Sequence, residues 1–155
     1  METENKAVLI SIQPKWCELI ARGEKTIEVR KTKPKLKSFK CYIYCTKDKN
    51  NHFWTGKRYS YFDDRSHNAF DKDGNGKVIG EFVCDTFICD KTYGHDPLFN
   101  AAGCMTEIEA IAYALNQPIL GWHISDLKIF DEPKELSEFG LTRPPQSWCY
   151  VEEVK

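Results

Sequence analysis

The sequence is poor in the features that mark membrane, secreted or fibrous proteins. Its longest apolar stretches, such as residues 7–10, are a few residues long, against the roughly 20 that a helix needs to span a bilayer, so no membrane crossing is expected. Glu2 and Glu4 precede that short run and no small-residue cleavage pattern follows, which argues against a secretory signal and makes a cytoplasmic location the default. There is no internal repeat and no low-complexity tract, so solenoids, collagen and coiled coils fall away. No charge sign dominates the whole chain, whose net charge is −1. The histidines at 52, 67, 95 and 123 show no H-E-x-x-H or Cys/His spacing, so no metal site and no cofactor is expected.

What is present suffices for one folded domain over residues 1–155. A chain of this length hides roughly 68–70% of its unfolded surface, and 41% hydrophobic with 13% aromatic residues supplies the material. The seven cysteines (17, 41, 45, 84, 89, 104, 149) form an odd set in a chain large enough to fold without staples. That fits free, mostly buried thiols better than a disulfide framework. Charge is unevenly spread: residues 1–60 hold 14 Lys/Arg against 6 Asp/Glu, and residues 61–155 hold 8 against 17. A basic half points either to an acidic partner or to attraction between two halves of one fold.

Residues 7–12 have the length and β-branched content of a buried strand, and Gln13-Pro14 opens a helix with proline in its first turn. Trp16, Leu19 and Ile20 recur at helical spacing, and Gly23 supplies a left-handed stop. In Lys25-Thr26-Ile27-Glu28-Val29-Arg30, Ile27 and Val29 alternate with Thr26, Glu28 and Arg30, the pattern of a strand with one apolar and one charged face. A loop over 31–40 with lysines at 31, 33, 35, 37 and 40 precedes a strand at 41–46. Residues 47–77 carry Phe53, Trp54, Tyr59, Tyr61, Phe62 and Phe70 without an apolar period, and a functional flap or irregular hairpins are expected there.

Residues 78–89 read as one long strand with Gly80 marking a bulge. Thr106-x-x-Glu109 is a capping box for a helix whose apolar stripe is Ile108, Ile111, Ala112 and Leu115, ended by Pro118. One or two strands follow over 119–130, a short helix or turn over 133–139, and a last strand over 148–154. Five to seven strands with two to three short helices make an α+β domain whose sheet curls into a small β-barrel, an arrangement that composition does not separate from an open sheet.

The densest chemistry lies in residues 23–30. Glu28 and Arg30, two apart on a strand, share a face and can pair, while Lys25 at the turn can swing over that face. Arginine's planar fork suits a phosphate or a base edge, and a partly desolvated lysine serves as an acid/base or an anion anchor. The plain alternative is a solvated strand face whose ion pair contributes about 0–1 kcal/mol.

Gly23, Lys25, Glu28 and Arg30 match G-x-K-x-x-E-x-R position for position, and in this the sequence resembles the ASCH domain, a family of the PUA-like superfamily. The Gln13-Pro14 helix start, Gly80-Glu81-Phe82, the run from Trp122 to Leu127 with Asp131-Glu132-Pro133, and the ending Pro144-Pro145-Gln146-Ser147-Trp148-Cys149-Tyr150 are similar to small bacterial and phage ASCH proteins. The resemblance implies a PUA-like β-barrel whose cleft binds RNA or a modified nucleoside. The expected ligand-binding residues are Gly23, Lys25, Glu28, Arg30, Lys31, Lys33 and Trp148, the last bordering the cleft if the barrel closes there. A basic first half agrees with phosphate attraction, and aromatics in the 50–62 region can stack unpaired bases at about 1–3 kcal/mol each. For Phe53 and Phe62 ordinary core packing is the favoured reading.

Some ASCH-like proteins are enzymes, and the motif of one that deacetylates a modified cytidine is similar to K-x-x-T-x-R. Its threonine nucleophile corresponds to Glu28 here, and strand alternation turns Thr26 to the face opposite its neighbour Lys25, so it is a poor substitute. The alternative function is therefore a hydrolase, amidohydrolase-like or a ribonuclease, in which Lys25, Glu28 and Glu81 are the catalytic candidates and a carboxylate acts as base toward water. A third reading, protein docking through residues 50–62, names no partner. Asp71-x-Asp73-x-Asn75-Gly76 copies the start of an EF-hand loop, but its glutamate position is Phe82 and Asn75-Gly76 is a hairpin-turn signal, so calcium is not expected. Cys41/Cys45 and Cys84/Cys89 lie on strands without a second close pair, which favours core packing over zinc.

Overall fold

The computed structural model describes residues 5–53 and 73–154. β1 (Lys6–Ile12) leads into α1 (Pro14–Ala21), where Pro14 fits the first turn because its φ is pre-set and it has no N–H to leave orphaned. Gly23, at φ +78°, turns the chain back toward β2 (Ile27–Arg30). Then come β3 (Phe39–Cys45), β4 (Lys77–Cys84), β5 (Phe87–Asp90), α2 (Pro97–Ala102), α3 (Glu107–Ala114), β6 (Ile119–His123), β7 (Ser125–Lys134), a 3-10 turn (Leu136–Phe139) and β8 (Trp148–Glu152).

Five strands form one sheet in the order β7-β4-β3-β1-β8, in which β1 and β3 run parallel. Three form a second, antiparallel sheet in the order β2-β6-β5. Both faces of the large sheet are covered. Val8, Ile10, Cys41, Ile43 and Phe82 pack with Trp122 of β6 on one side, and Leu9, Tyr42, Tyr44 and Val78 pack with Phe139 on the other. That double burial is why β1 and β3 are apolar at consecutive positions instead of alternate ones. Ile27 and Val29 turn the opposite way, onto Phe99 and Ala114 of α2 and α3. The alternation then directs Glu28 and Arg30 between the sheets, so the charged face read from the period of two is an interior face.

Eight strands are present among the described residues where five to seven were expected, and the two sheets are separate hydrogen-bonded units, not one closed barrel. The extra strand comes from 78–89, which breaks at Asp85-Thr86: β4 stays in the large sheet and β5 crosses to the small one. β6 and β7 part in the same way at Ile124. His123 N to Thr86 O (3.1 Å) and Ile124 N to Thr26 O (2.9 Å) tie these corners together. The register of β3 against β4 shifts beside Gly80, the expected bulge. A Cβ at Gly80 would lie 2.5 Å from the Lys128 carbonyl oxygen of β7, so the sheet closes up only around glycine.

Helix α3 is rotated relative to its expected stripe. Ile108 is 80% exposed, while Ala110 and Ala114 are buried. The cause is the tight turn before α2: a Cβ on Gly94 would come within 2.6 Å of the Ile111 backbone nitrogen, an approach that a face of alanines permits. The capping box forms as read, with Glu109 N donating to Thr106 Oγ1 (3.1 Å) and Thr106 N to Glu109 Oε1 (2.9 Å). Helix α2 was not anticipated.

All seven cysteines are free; 17, 41, 45 and 84 are buried, 89 is exposed, and 104 and 149 are half-buried. Phe53 is core. Asn75 Oδ1 accepts from Phe53 N (2.7 Å) and Asp73 Oδ1 from Asn75 N (2.9 Å), so both side chains brace the turn closed by Gly76 at φ +78°. Trp54, Tyr59, Tyr61, Phe62, Phe70 and Asp71, and most of the expected flap, lie outside the described residues. Among the described residues no three of His, Cys, Asp and Glu gather as metal ligands, and no helix is long and apolar enough to cross a membrane.

Candidate functional site

The gap between the two sheets opens, at the start of α1, into a cavity of about 690 Å³, within the roughly 300–1,000 Å³ of small-molecule sites. Lys25, Glu28 and Arg30 form its floor with Ser11, and Trp16, Val29, Met105 and Tyr113 its walls. Local structure places each floor residue. Gly23 lets Lys25 N return to the Leu19 carbonyl at the end of α1 (3.1 Å), and β2 begins two residues later. Gly23 itself does not line the cavity; its contribution is the turn.

Arg30 is fully occupied by the protein. Its Nε and Nη2 donate to Glu28 Oε2 (3.1 and 2.8 Å), Nη2 also to Ser11 O (2.6 Å), and Nη1 to Ser147 Oγ and O (3.0 and 3.4 Å). A guanidinium has five N–H donors, and all five are committed. Arg30 therefore ties β2 to β1 and to the chain entering β8, and holds the Glu28 carboxylate in one orientation. It is a positioning residue, where the sequence suggested a direct contact to ligand.

Lys25 is 3% exposed and Glu28 5%. Lys25 Nζ donates to the Gly103 carbonyl (2.7 Å), stands 3.6 Å from Glu28 Oε1 and lies 4.6 Å from the centre of the Trp16 ring. An ammonium carries three donors, so it keeps capacity for a ligand. Glu28 Oε1 is buried without a hydrogen-bond partner. Leaving a buried polar atom unmet costs about 1–3 kcal/mol, more if charged, and the residue that carries this one lines an open cavity. Burial pushes the Tyr113 phenol up from its ordinary value, with Arg30 opposing and Glu28 adding, so its hydroxyl stays protonated as a donor at the wall. At the rim Glu109 is held below the ordinary carboxylate range by the Thr106 N–H and by Lys15.

The other expected residues are placed as follows. Lys31 Nζ sits 5.0 Å from the Tyr113 ring centre, at the rim, and Lys33 lies 5.3 Å from that of Phe87, beyond it. Trp148 is behind the wall: it meets Trp122 edge-on at 5.9 Å, and its Nε1 donates to Thr32 Oγ1 (2.9 Å). Glu81 is not brought to the cavity; it pairs with Lys40 (3.3 Å) on the Tyr42 face of the large sheet, away from Lys25 and Glu28. Thr26 is exposed, just before the start of β2, and does not line the cavity. Trp16 and Tyr113 were missed as site residues. Trp16 read as part of a helix stripe, and nothing in the sequence ties Tyr113, 83 residues beyond Arg30, to the motif.

The ASCH domain family model matches residues 10–83, a span that contains the whole Lys25, Glu28 and Arg30 motif. No match was found among curated proteins. The fold is shared with the ASCH protein from Zymomonas mobilis, at TM-score 0.63 and 17% identity over 96% of this chain and 98% of that one. A serine-to-alanine variant of the Z. mobilis protein aligns at TM-score 0.66 and 18% identity, covering 94% and 88%. Its tyrosine-to-phenylalanine variant aligns at 0.63 and 17%, covering 93% and 88%. At these identities the likeness is one of fold.

Proposed function

Because this chain carries an ASCH domain over residues 10–83, we propose that its cleft binds one nucleotide or modified nucleobase of a single-stranded RNA. The observation that carries this is the buried, unpartnered Glu28 Oε1 beside the Lys25 ammonium. Together they ask for a ligand that presents an N–H or O–H donor next to an acceptor, which is what the edge of a nucleobase offers. Aromatic and apolar walls suit a flat ring, and the unmet carboxylate oxygen on the floor calls for a donor, which a base edge carries and an ionised phosphate lacks. Lys31 at the rim and Lys33 beyond it supply the cations for the phosphate.

A hydrolase reading uses the same atom: Glu28 Oε1, free of donors, is placed to accept a proton from a water beside Lys25, which would stabilise the oxyanion. It receives no help from Thr26 or Glu81, which lie elsewhere. One experiment separates the two readings. A mixed single-stranded RNA pool is titrated across a salt series with wild type and Lys25→Ala, and the recovered RNA is analysed for cleavage or changed nucleosides. Binding that falls linearly in log–log with salt, is weakened by Lys25→Ala and leaves the RNA intact supports the binding function. Chemical change lost in the variant makes it an enzyme, and no binding at low salt contradicts both.

A further inference from the structure

Beyond the cleft lies a row of lysine and aromatic contacts. It starts at the cavity rim with Lys31 over Tyr113 (5.0 Å), continues with Lys33 over Phe87 (5.3 Å), and ends with Lys6 over Tyr150 (5.8 Å). The loop over residues 31–37 carries four lysines and no acid. It is pinned along this row: Thr32 takes both indole N–H groups of Trp122 and Trp148 (3.2 and 2.9 Å), and Lys35 N donates to the Tyr150 hydroxyl (2.9 Å).

From these contacts we infer that Tyr150 is a stacking platform for a nucleotide flanking the one in the cleft, on a strand of RNA whose phosphates follow the 31–37 loop. The inference rests on the nucleic-acid reading of the cleft and extends it. Tyr150 is 42% exposed, yet its hydroxyl is held and Trp148 meets it edge-on at 5.4 Å and 90°. A ring already fixed in place loses little freedom when a base settles on it. Ser147 lines the cavity, and the three residues of extended chain from there to Tyr150 reach about 10 Å, the scale of a step to a neighbouring nucleotide. Lysines alternating with aromatic rings complement a strand that alternates phosphates with bases. On β8 the next residue of the same face is Glu152, opposite Lys6 in register, and its carboxylate ends the track.

The test compares two probes by fluorescence anisotropy and competition: a mixed-sequence single-stranded RNA of about six nucleotides and a mixed pool of mononucleotides. Tyr150→Leu is expected to weaken the longer RNA by roughly 5- to 150-fold, the range of one base stack, and to leave the mononucleotides unchanged. Tyr150→Phe, which keeps the ring and loses only the bond from Lys35 N, is expected to bind the mononucleotides as wild type does and the longer RNA more tightly than Tyr150→Leu. Lys6→Ala with Lys35→Ala, side-chain changes that spare the Lys35 N–H, is expected to lower the salt slope for the longer RNA by about two. An unaltered affinity for the longer RNA in Tyr150→Leu, or equal weakening for both probes with an unaltered slope in the lysine pair, overturns the platform while the cleft reading stands if Lys25→Ala still weakens both. Wild type that binds neither probe overturns the cleft reading, and the platform with it.

Discussion

Two lysine–glutamate pairs show how differently two regions of this molecule use the same residues. Lys40 and Glu81 meet at 3.3 Å on the outer face of the large sheet, with side chains 28% and 21% exposed, and Glu153 adds a second carboxylate at 3.8 Å. Lys25 and Glu28 are 3.6 Å apart between the sheets, with side chains 3% and 6% exposed. When the outer pair separates, water takes both partners back, so such a pair contributes about 0–1 kcal/mol. The inner pair has no such refuge and depends on Arg30, Gly103 and the cavity. In the outer region charge is merely accommodated. In the inner one a single atom, Glu28 Oε1, is left unmet on a residue that lines the cavity, and that incompleteness, more than the charge, marks the site.

The comparison breaks most visibly at Arg30. Arg30→Ala leaves the buried Glu28 carboxylate without its two-pronged partner and is expected to destabilise the fold by about 3–5 kcal/mol in urea denaturation. Arg30→Lys is expected to restore only part, because an ammonium cannot reproduce the planar fork.

A second buried carboxylate sharpens the contrast. Both oxygens of Glu18 are without a hydrogen bond, with the Arg22 guanidinium 3.7 Å away. Burial pushes its carboxyl up to about 7, Arg22 opposing. A folded pKa above the unfolded one means that the folded state holds the proton more tightly. Its stabilising contribution is therefore complete below about pH 4.5 and is lost as pH rises through 7. Glu18→Gln is expected to raise stability at pH 8 by about 2–3 kcal/mol and to flatten the profile between those two values, as read from urea midpoints across pH.

Lys25→Ala is expected to weaken RNA binding at least about tenfold, the loss of one charge-assisted hydrogen bond worth roughly 1.5–3 kcal/mol. The outer pair gives the smallest response: Lys40→Ala or Glu81→Gln should change stability by no more than about 1 kcal/mol and leave RNA affinity as in wild type. A loss of binding in either would place the ligand on the wrong face.

Much of this contrast was legible in the residues. The period of two in Ile27 to Arg30 separated the charged face from the apolar one, and Gly23 gave the turn that delivers Lys25. The direction of that charged face was not legible, because it depends on Ser11 and Ser147 accepting from Arg30 across the fold. Residues 78–89 read as one strand because Asp85-Thr86 carries no glycine or proline to announce the switch of sheets. That switch is also why a closed barrel gave way to two sheets. Helix α2 was announced only by Asp96-Pro97, a cap and first-turn signature, its six residues being too few for a period. The rotation of α3 could not be read from its own sequence, since the clash that sets it belongs to Gly94.

The most direct measurement of the central claim is an amide and side-chain NMR titration of the wild-type protein with mixed ribonucleotides. The account predicts shifts that concentrate on Trp16, Lys25, Glu28 and Tyr113 and spare Lys40, Glu81 and Glu153. Shifts that gather on the outer face, or none at nucleotide concentrations that saturate ordinary base pockets, would contradict it.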